Sequence, residues 1–560
     1  MSAPESEARR GAARLVPAWL RDYRRDWLVP DAIAGLIVGS VVVPQAVAYA
    51  QIAGLPPSAG LVAAPGALIA YALLGTSRTL VVSATTATSA MSAAAVGPLA
   101  DGDVARFAAL SAGLAVVVAV VLVVAGALSV GGVMDLVSKP VMTGFLFGLG
   151  LIVALGQLSK LFGVEGSSGR FFEQLWDLLG KLNDTHGWTF AVGAASVAAL
   201  VALRRFAPRA PGMLIVLALA IVVSSLLDLS DRGVDVVGDL PSAFPDPAIP
   251  DISWDDVVDL LPAALGMLIV SAEAASVSRG IARAQGYDVD PNRDLIALGA
   301  SNGVAGLSGG FVQSGGASQT LAAEEAGGKT QVTSIVAAGL ILLTGLFLTG
   351  LFEDLPQATL GAIVIVAISG FWRVDELVRL ARLRTSAIVF ALVALVGVLV
   401  LGILPGLVIA ALLSLVSIVQ LLSRPSTGAL ARDPATGAWG RADRHPDWQP
   451  PRGVVAARVD GPLFYANTSV VETRLLALVE EADPKPAALV LDLAGSTDLD
   501  VQALDMLAEL GERLGKDGIE LRLAEVRGPA LDLLRRRGLV PRLRVEPTLD
   551  AALRDETSIQ

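Results

Sequence analysis

Pro44–Gly60, PQAVAYAQIAGLPPSAG, is the stretch around which the rest of the chain is organised. It is the second half of an apolar segment and ends in a Leu-Pro-Pro turn. Gln45, Tyr49 and Gln51 interrupt sequence that would otherwise dissolve in lipid. Pro44 removes a backbone donor where a membrane helix ordinarily keeps every N–H paired. A helix expected to break at mid-membrane depth lines a cavity and does not face lipid.

Outward from that stretch, composition gives the class. The chain has 560 residues, 54% hydrophobic and 17% charged, with mean hydropathy +0.64. Soluble domains carry about a quarter charged residues, and many runs here reach the roughly 20 residues that span a bilayer core. The chain reads as a polytopic membrane protein in contact with the lipid bilayer. It has no cysteine, which excludes disulfides and Cys-based chemistry, and two histidines, His186 and His445, both in polar connectors. No cofactor and no metal site are expected from that inventory. A net charge of −11 argues against nucleic acid as a partner. The arginine-rich N-terminus is followed by no short cleavable apolar region and reads as a cytoplasmic anchor.

Apolar segments fall at about 31–52, 58–75, 78–97, 104–127, 133–158, 188–204, 211–228, 258–278, 292–308, 311–328, 331–352, 357–372, 385–403 and 406–422. One set of connections receives Arg78, Lys139, Arg204/Arg205, Arg279/Arg283/Arg293, Lys329, Arg373–Arg384 and Arg424, and the other the acidic connectors. The positive-inside rule places the first set in the cytoplasm. The organisation expected is an N-terminal segment 1–29, a transport domain 30–424, a polar Pro-containing linker 425–452, and a small α/β domain 453–556 on the cytoplasmic side. Segments beginning at Ser83 and near Ala317, and those at 31–52 and 258–278, recur at an offset of about 230 residues. Two halves of seven segments must insert in opposite orientations. The expected fold is therefore an all-α membrane domain of about 14 spans in a 7+7 inverted repeat with two half-helices.

Half-helices that start inside a membrane present unpaired N–H groups and a positive dipole end. The runs Ser83, Ala84, Thr85 and Gly316, Ala317, Ser318, Gln319 are candidates for holding an anion between two such ends; the competing reading is that these small residues only let helices pack. Glu273, inside an apolar segment, is a candidate for ion coupling, against a reading in which it snorkels or pairs with Arg279 or Arg283. Asp31 and Glu324/Glu325 are expected at the interface, with no role in the site.

The run PQAVAYAQIAGLPPSAGL at 44–61 resembles the signature of the SulP family of sulfate permeases. ARAQGYDVDPNRDLIALGASNGVAGLSGGF at 282–311 is similar to the same family's link between its eighth and ninth segments, and VVAARVDGPLFYAN and LDLAGSTDLDVQALDML to a STAS domain. The resemblance covers nearly all of residues 20–555. It implies a UraA-like membrane fold, shared with nucleobase and bicarbonate transporters, and a core domain moving against a gate domain in a homodimer. It also implies a location in the cell (inner or plasma) membrane. The implied activity is secondary transport of a sulfate, bicarbonate, chloride or dicarboxylate-class anion, coupled to H+ or Na+. A passive channel or uncoupled exchanger on the same fold, and a nucleobase transporter, are the alternatives; an enzyme is not expected. By the resemblance Gln45 and Tyr49 line the site, Glu273 falls at the coupling carboxylate, and Gly316–Ser318 open the tenth helix. Where relatives commonly have arginine after the serine, this chain has Gln319. Losing that cation costs a divalent anion most, so a monovalent or weakly charged substrate is expected. In the STAS-like part, Asp500 is followed by Val501, Gln502 and Ala503 instead of a phosphorylatable serine, so the expected role is scaffolding.

Overall fold

The computed structural model describes residues 17–21, 23–130, 138–167, 169–207, 211–238, 247–540 and 542–554, apart from the side chains at 18, 272–274 and 276. The chain divides into two compact units, Met1–Ser414 and Leu415–Gln560. Most of the basic N-terminal segment lies outside the described residues.

In the first unit every apolar segment expected from the sequence contains a helix. In chain order these are α1 (Leu28–Ile52), α2 (Ser58–Leu74), a two-residue strand β1 (Val82–Ser83), α3 (Thr86–Ala100), α4 (Val104–Ala127), α5 (Lys139–Phe162), the amphipathic α6 (Phe171–Lys181), α7 (Gly187–Phe206) and α8 (Gly212–Leu226). They continue with α9 (Trp254–Gln285), α10 (Pro291–Leu307), a second short strand β2 (Ser314–Gly315), α11 (Ala317–Glu325), α12 (Val332–Phe347), α13 (Gln357–Ile368), the amphipathic α14 (Val374–Leu383), α15 (Thr385–Leu401) and α16 (Ile403–Ser423). Six spans among the described residues are long and apolar enough to cross a membrane, and four shorter helices are apolar throughout. Leu-, Val- and Ala-rich sides turn outward on many of them, as a lipid-facing surface requires.

Helices α1, α2, α4, α10 and α12 pack together, and α5, α7, α13 and α15 form a second group. Glycine sets the closest approaches. A Cβ on Gly60 in α2 would lie 1.9 Å from the carbonyl oxygen of Ala46 in α1, and one on Gly144 in α5 would lie 1.9 Å from that of Ala391 in α15.

Three expectations need correction here. Pro44 does not break α1, which runs through it, and the counterpart at 258–278 is likewise one continuous helix, α9, with Pro262 inside it. The missing N–H of Pro44 costs a single rung. The buried turns on either side of it, from Val38 to Val47, hold the helix in line. Asp31, expected at the interface, is fully buried. Its carboxylate accepts from the Lys329 N–H (2.6 Å), the Thr330 N–H (3.1 Å) and hydroxyl (2.5 Å), and the Thr333 hydroxyl (3.4 Å). A buried carboxylate persists only when it is satisfied in this way, and here it ties the start of α1 to the turn after α11.

The second unit is a six-stranded sheet. Its strands are β3 (Ser426–Arg432), β4 (Trp439–Arg441), β5 (Val454–Asp460), β6 (Ala488–Asp492), β7 (Glu520–Ala524) and β8 (Arg544–Glu546), in the order β4-β3-β5-β6-β7-β8. β5 to β8 are parallel, with Val455 opposite Leu489 and Leu489 opposite Leu521, while β3 runs antiparallel to β5 and to β4. Residues 425–452 were expected as a linker, yet two of the six strands lie there. Helices α17 (Thr468–Glu480), α18 (Val501–Lys516), α19 (Gly528–Arg536) and α20 (Leu549–Leu553) complete the unit. The central strand β6 is buried along its whole length, as a covered parallel sheet requires. At its end Asp492 takes both Nε (2.8 Å) and a terminal nitrogen (2.7 Å) of Arg458.

Asp500 caps α18, accepting from the Ala503 N–H at 2.8 Å and, with its other oxygen, from the Tyr465 N–H at 2.7 Å. Asp500→Ala is therefore expected to lower the stability of this unit by about 1–2 kcal/mol. Chemical denaturation of the full chain, followed by a probe in this unit, checks the value.

Candidate functional site

The site is built where β1 meets β2. The two strands pair antiparallel, Val82 opposite Gly315 and Ser83 opposite Ser314, and the Gly316 N–H reaches the Val81 carbonyl at 2.9 Å. The Thr320 hydroxyl receives the Val81 N–H at 3.1 Å and donates to the Gly316 carbonyl at 2.7 Å. Extended backbone far from water must find every partner within the protein, and this short ladder supplies them. It also brings the starts of α3 and α11 together, residues more than 200 apart in sequence.

The two helix ends are chemically unequal. Thr85 caps α3 in a reciprocal arrangement: its hydroxyl accepts from the Thr88 N–H (3.3 Å) while the Thr88 hydroxyl accepts from the Thr85 N–H (3.2 Å). An amide at that end is thus already engaged. Gly316 caps α11 with no side chain. The first-turn amides of Ala317, Ser318 and Gln319 have no carbonyl of their own helix to reach and remain available to an anion.

A cavity of about 690 Å³ lies against these ends, within the range of small-molecule sites. Tyr49, Thr85, Gly316, Ala317, Ser318 and Gln319 all line it, as do Thr86 and Ser314. Three other residues expected at the site do not line it. Ser83 is held in the ladder, and Ala84 packs in an apolar cluster with Tyr49, Ala63 and Phe311. Gln45 stands behind the wall, where its Oε1 accepts from Gln319 Nε2 at 2.7 Å. The Ser318 hydroxyl donates to Gln319 Oε1 at 3.0 Å, so the Gln319 amide is held from both ends. Gln51, the third polar residue of the opening stretch, accepts from Lys160 Nζ at 3.0 Å and joins the ends of α1 and α5.

The side chain of Glu273 lies outside the described residues. Along the same helix Val270, three residues before it, and Val277, four after it, both line the cavity.

Two charged lining residues were not expected at the site: Lys139 at the start of α5 and Arg373 just before α14. Both carry the signature of cytoplasmic loop charges, and nothing in their spacing distinguishes them from the other basic residues of those loops. Among the described residues the cavity wall thus holds two cations and no carboxylate. Hydroxyls, free amides and cations are the chemistry of an anion receptor. Among the described residues no group of His, Asp and Glu could hold a metal ion.

Comparison with known proteins shows the family and the fold. The model of the sulfate permease family matches residues 28–421 and that of the STAS domain residues 445–552. A probable sulfate transporter of Mycobacterium tuberculosis is 34% identical over 524 residues, 93% of this chain and 94% of the relative. Probable sulfate transporter 4.2 of Arabidopsis thaliana is 27% identical over 542 residues, 93% of this chain and 80% of the relative. Among solved structures, the murine Solute Carrier 26 family member A9 anion transporter in the inward-facing state has a similar fold. Its TM-score is 0.87 at 24% identity, over 96% of this chain and 93% of that one. The transmembrane domain of a cyanobacterial bicarbonate transporter matches with a TM-score of 0.62 at 21% identity, over 69% of this chain and 98% of that one. With the family match covering most of its length, this chain belongs to the sulfate permease family and is a membrane-spanning anion transporter, not an enzyme.

Proposed function

We propose that the chain is a secondary active transporter of a small, singly charged anion, held in the cavity against the amide end of α11. The observation that carries this reading is the wall itself. Ala317, Ser318 and Gln319 offer first-turn amides without a helical partner, the hydroxyl-bearing Thr85, Thr86 and Ser318 line the same wall, and no described carboxylate competes there. Gln319 is neutral and already shared with Gln45, so the start of α11 attracts by dipoles and amides without a cation. A second negative charge on the substrate then gains little to offset its larger desolvation. Sulfate and bicarbonate transport are named for the relatives, and they bracket the choice here.

In this proposal the α3 and α11 half-helices are the corresponding members of a seven-plus-seven inverted repeat in residues 30–424. Glu273, placed between Val270 and Val277 along α9, carries coupling to H+ or Na+. The basic connections and the STAS domain face the cytoplasm of a cell membrane, and the STAS domain serves as a scaffold or dimer contact in a homodimer.

Counterflow in proteoliposomes with labelled bicarbonate, chloride, sulfate and a dicarboxylate, with and without pH and sodium gradients, tests the reading. Saturable counterflow of a monovalent anion supports it, and flux without counterflow points to a channel. Gln319→Arg is expected to shift the sulfate-to-bicarbonate preference toward sulfate by about tenfold or more, since an added cation acts twice on a divalent ion. An unchanged ratio removes the monovalent assignment.

A further inference from the structure

The cations of this cavity come from the start of α5 and the turn before α14, not from the start of α11. Gln319, at that end, is 2% exposed and carries no charge. Lys139 and Arg373 line the same cavity and are both solvent-exposed. Their electrostatic states differ. Lys139 Nζ lies 3.5 Å from Glu376 Oε1. Glu376 is buried, and it also takes Arg379 in a two-pronged pair at 2.9 and 2.7 Å. Glu376 is shared between Lys139 and Arg379, so the charge of Lys139 is answered in part. Arg373 makes no ion pair among the described residues. Asp375, two residues on, is exposed and belongs to the same turn as Arg379. Among the described residues, the guanidinium of Arg373 is the lining charge that makes no ion pair. It rises from the 369–373 turn, with Gly370 and Phe371 beside it on the wall.

We propose that Arg373 is the anion-collecting residue of this transporter, drawing substrate into the cavity in place of attraction from a cation at the start of α11. This rests on the anion-transport reading above. An exposed charge acts differently from a buried one. It raises the local anion concentration and the rate of entry, and dissolved ions screen it, because the Debye length falls from about 30 Å at 0.01 M to about 3 Å at 1 M. Arg373 thus governs apparent affinity at low ionic strength and little else. The amides of α11 act by direct hydrogen bonds to the bound anion, so their contribution changes less with ionic strength. Lys139 is a weaker second collector while Glu376 holds it.

The test is initial-rate uptake of labelled bicarbonate and, separately, labelled sulfate into proteoliposomes. The wild type, Arg373→Gln, Arg373→Lys and Arg382→Gln are compared at low and high ionic strength, set with a large organic salt. Arg382 is exposed, does not line the cavity, and serves as the control for simple loss of surface charge. The expected result is a KM about fivefold higher for Arg373→Gln at low ionic strength with maximal rate within about twofold of wild type. KM should return to near wild type in Arg373→Lys, and the difference should vanish at high ionic strength. An unchanged KM in Arg373→Gln at low ionic strength overturns the proposal. So does a raised KM that persists undiminished in high salt, or one shared equally by Arg382→Gln. If Arg373→Gln is not recovered folded, Arg373→Lys and Arg373→Met carry the same comparison. Wild-type protein that takes up no anion at all overturns the transport reading and this inference with it; robust wild-type uptake with salt-independent variants overturns this inference alone.

Discussion

Gly60→Ala is expected to destabilise the membrane unit by about 3 kcal/mol or more, the upper range of overpacking penalties. The added methyl would meet the Ala46 carbonyl oxygen at 1.9 Å and its carbon at 2.4 Å. Both are backbone atoms of α1, so no rotamer change relieves the clash and two helices must separate. The separation falls one residue from Gln45 and three from Tyr49, so transport should be lost together with stability. Thermal unfolding of the purified protein in detergent, read as an apparent midpoint, measures the first effect. Gly339→Ala is the control, because a Cβ there meets nothing within 4 Å, and its midpoint should stay in place. Equal midpoints for the two variants would contradict the close packing of α1 on α2.

Ala317→Pro is expected to reduce transport by about tenfold to a hundredfold while leaving the fold intact. Proline is tolerated at the first position of a helix, where its missing N–H has no intrahelical partner. Gly316 before it has φ −88° and ψ 113°, a conformation compatible with a following proline. The substitution therefore deletes one amide donor from the cavity and changes little else. A hydrogen bond to a charged group contributes about 1.5–3 kcal/mol, which gives the range above. Counterflow of the preferred anion, alongside a thermal midpoint within a few degrees of wild type, is the required pair of measurements. Full activity in a folded Ala317→Pro protein would mean that the α11 amides do not hold the substrate.

These outcomes depend on parts of the molecule that were unequally legible in the sequence. The apolar segments were legible because lipid solubility is a property of each segment alone, and each of them contains a helix. So were the starts of α3 and α11, where a short extended run gives way to small residues and then to helix-forming ones. The sense of Pro44 was not. Whether a helix survives a proline depends on what clamps the neighbouring turns, and here those turns are buried. Strands β3 and β4 hid in a polar stretch, since an edge hairpin is specified by its partner β5 as much as by its own residues.

A membrane location, a small α/β domain after it, and two helices that start after short extended runs near Ser83 and Gly316 were all readable from the residues alone. Those are consequences of local composition and short-range pattern. Only the tertiary structure decided which polar residues share one cavity. It set Gln45 behind Gln319, left Ser83 in the ladder, and carried Lys139 and Arg373 to the cavity wall. A cavity of this kind is assembled from backbone amides and side chains distant in sequence. Their convergence is fixed by helix packing and strand pairing, which no residue encodes alone. The stretch Pro44–Gly60 provides part of the cavity wall through Tyr49 and a brace through Gln45, while the cations on that wall, Lys139 and Arg373, come from far along the chain.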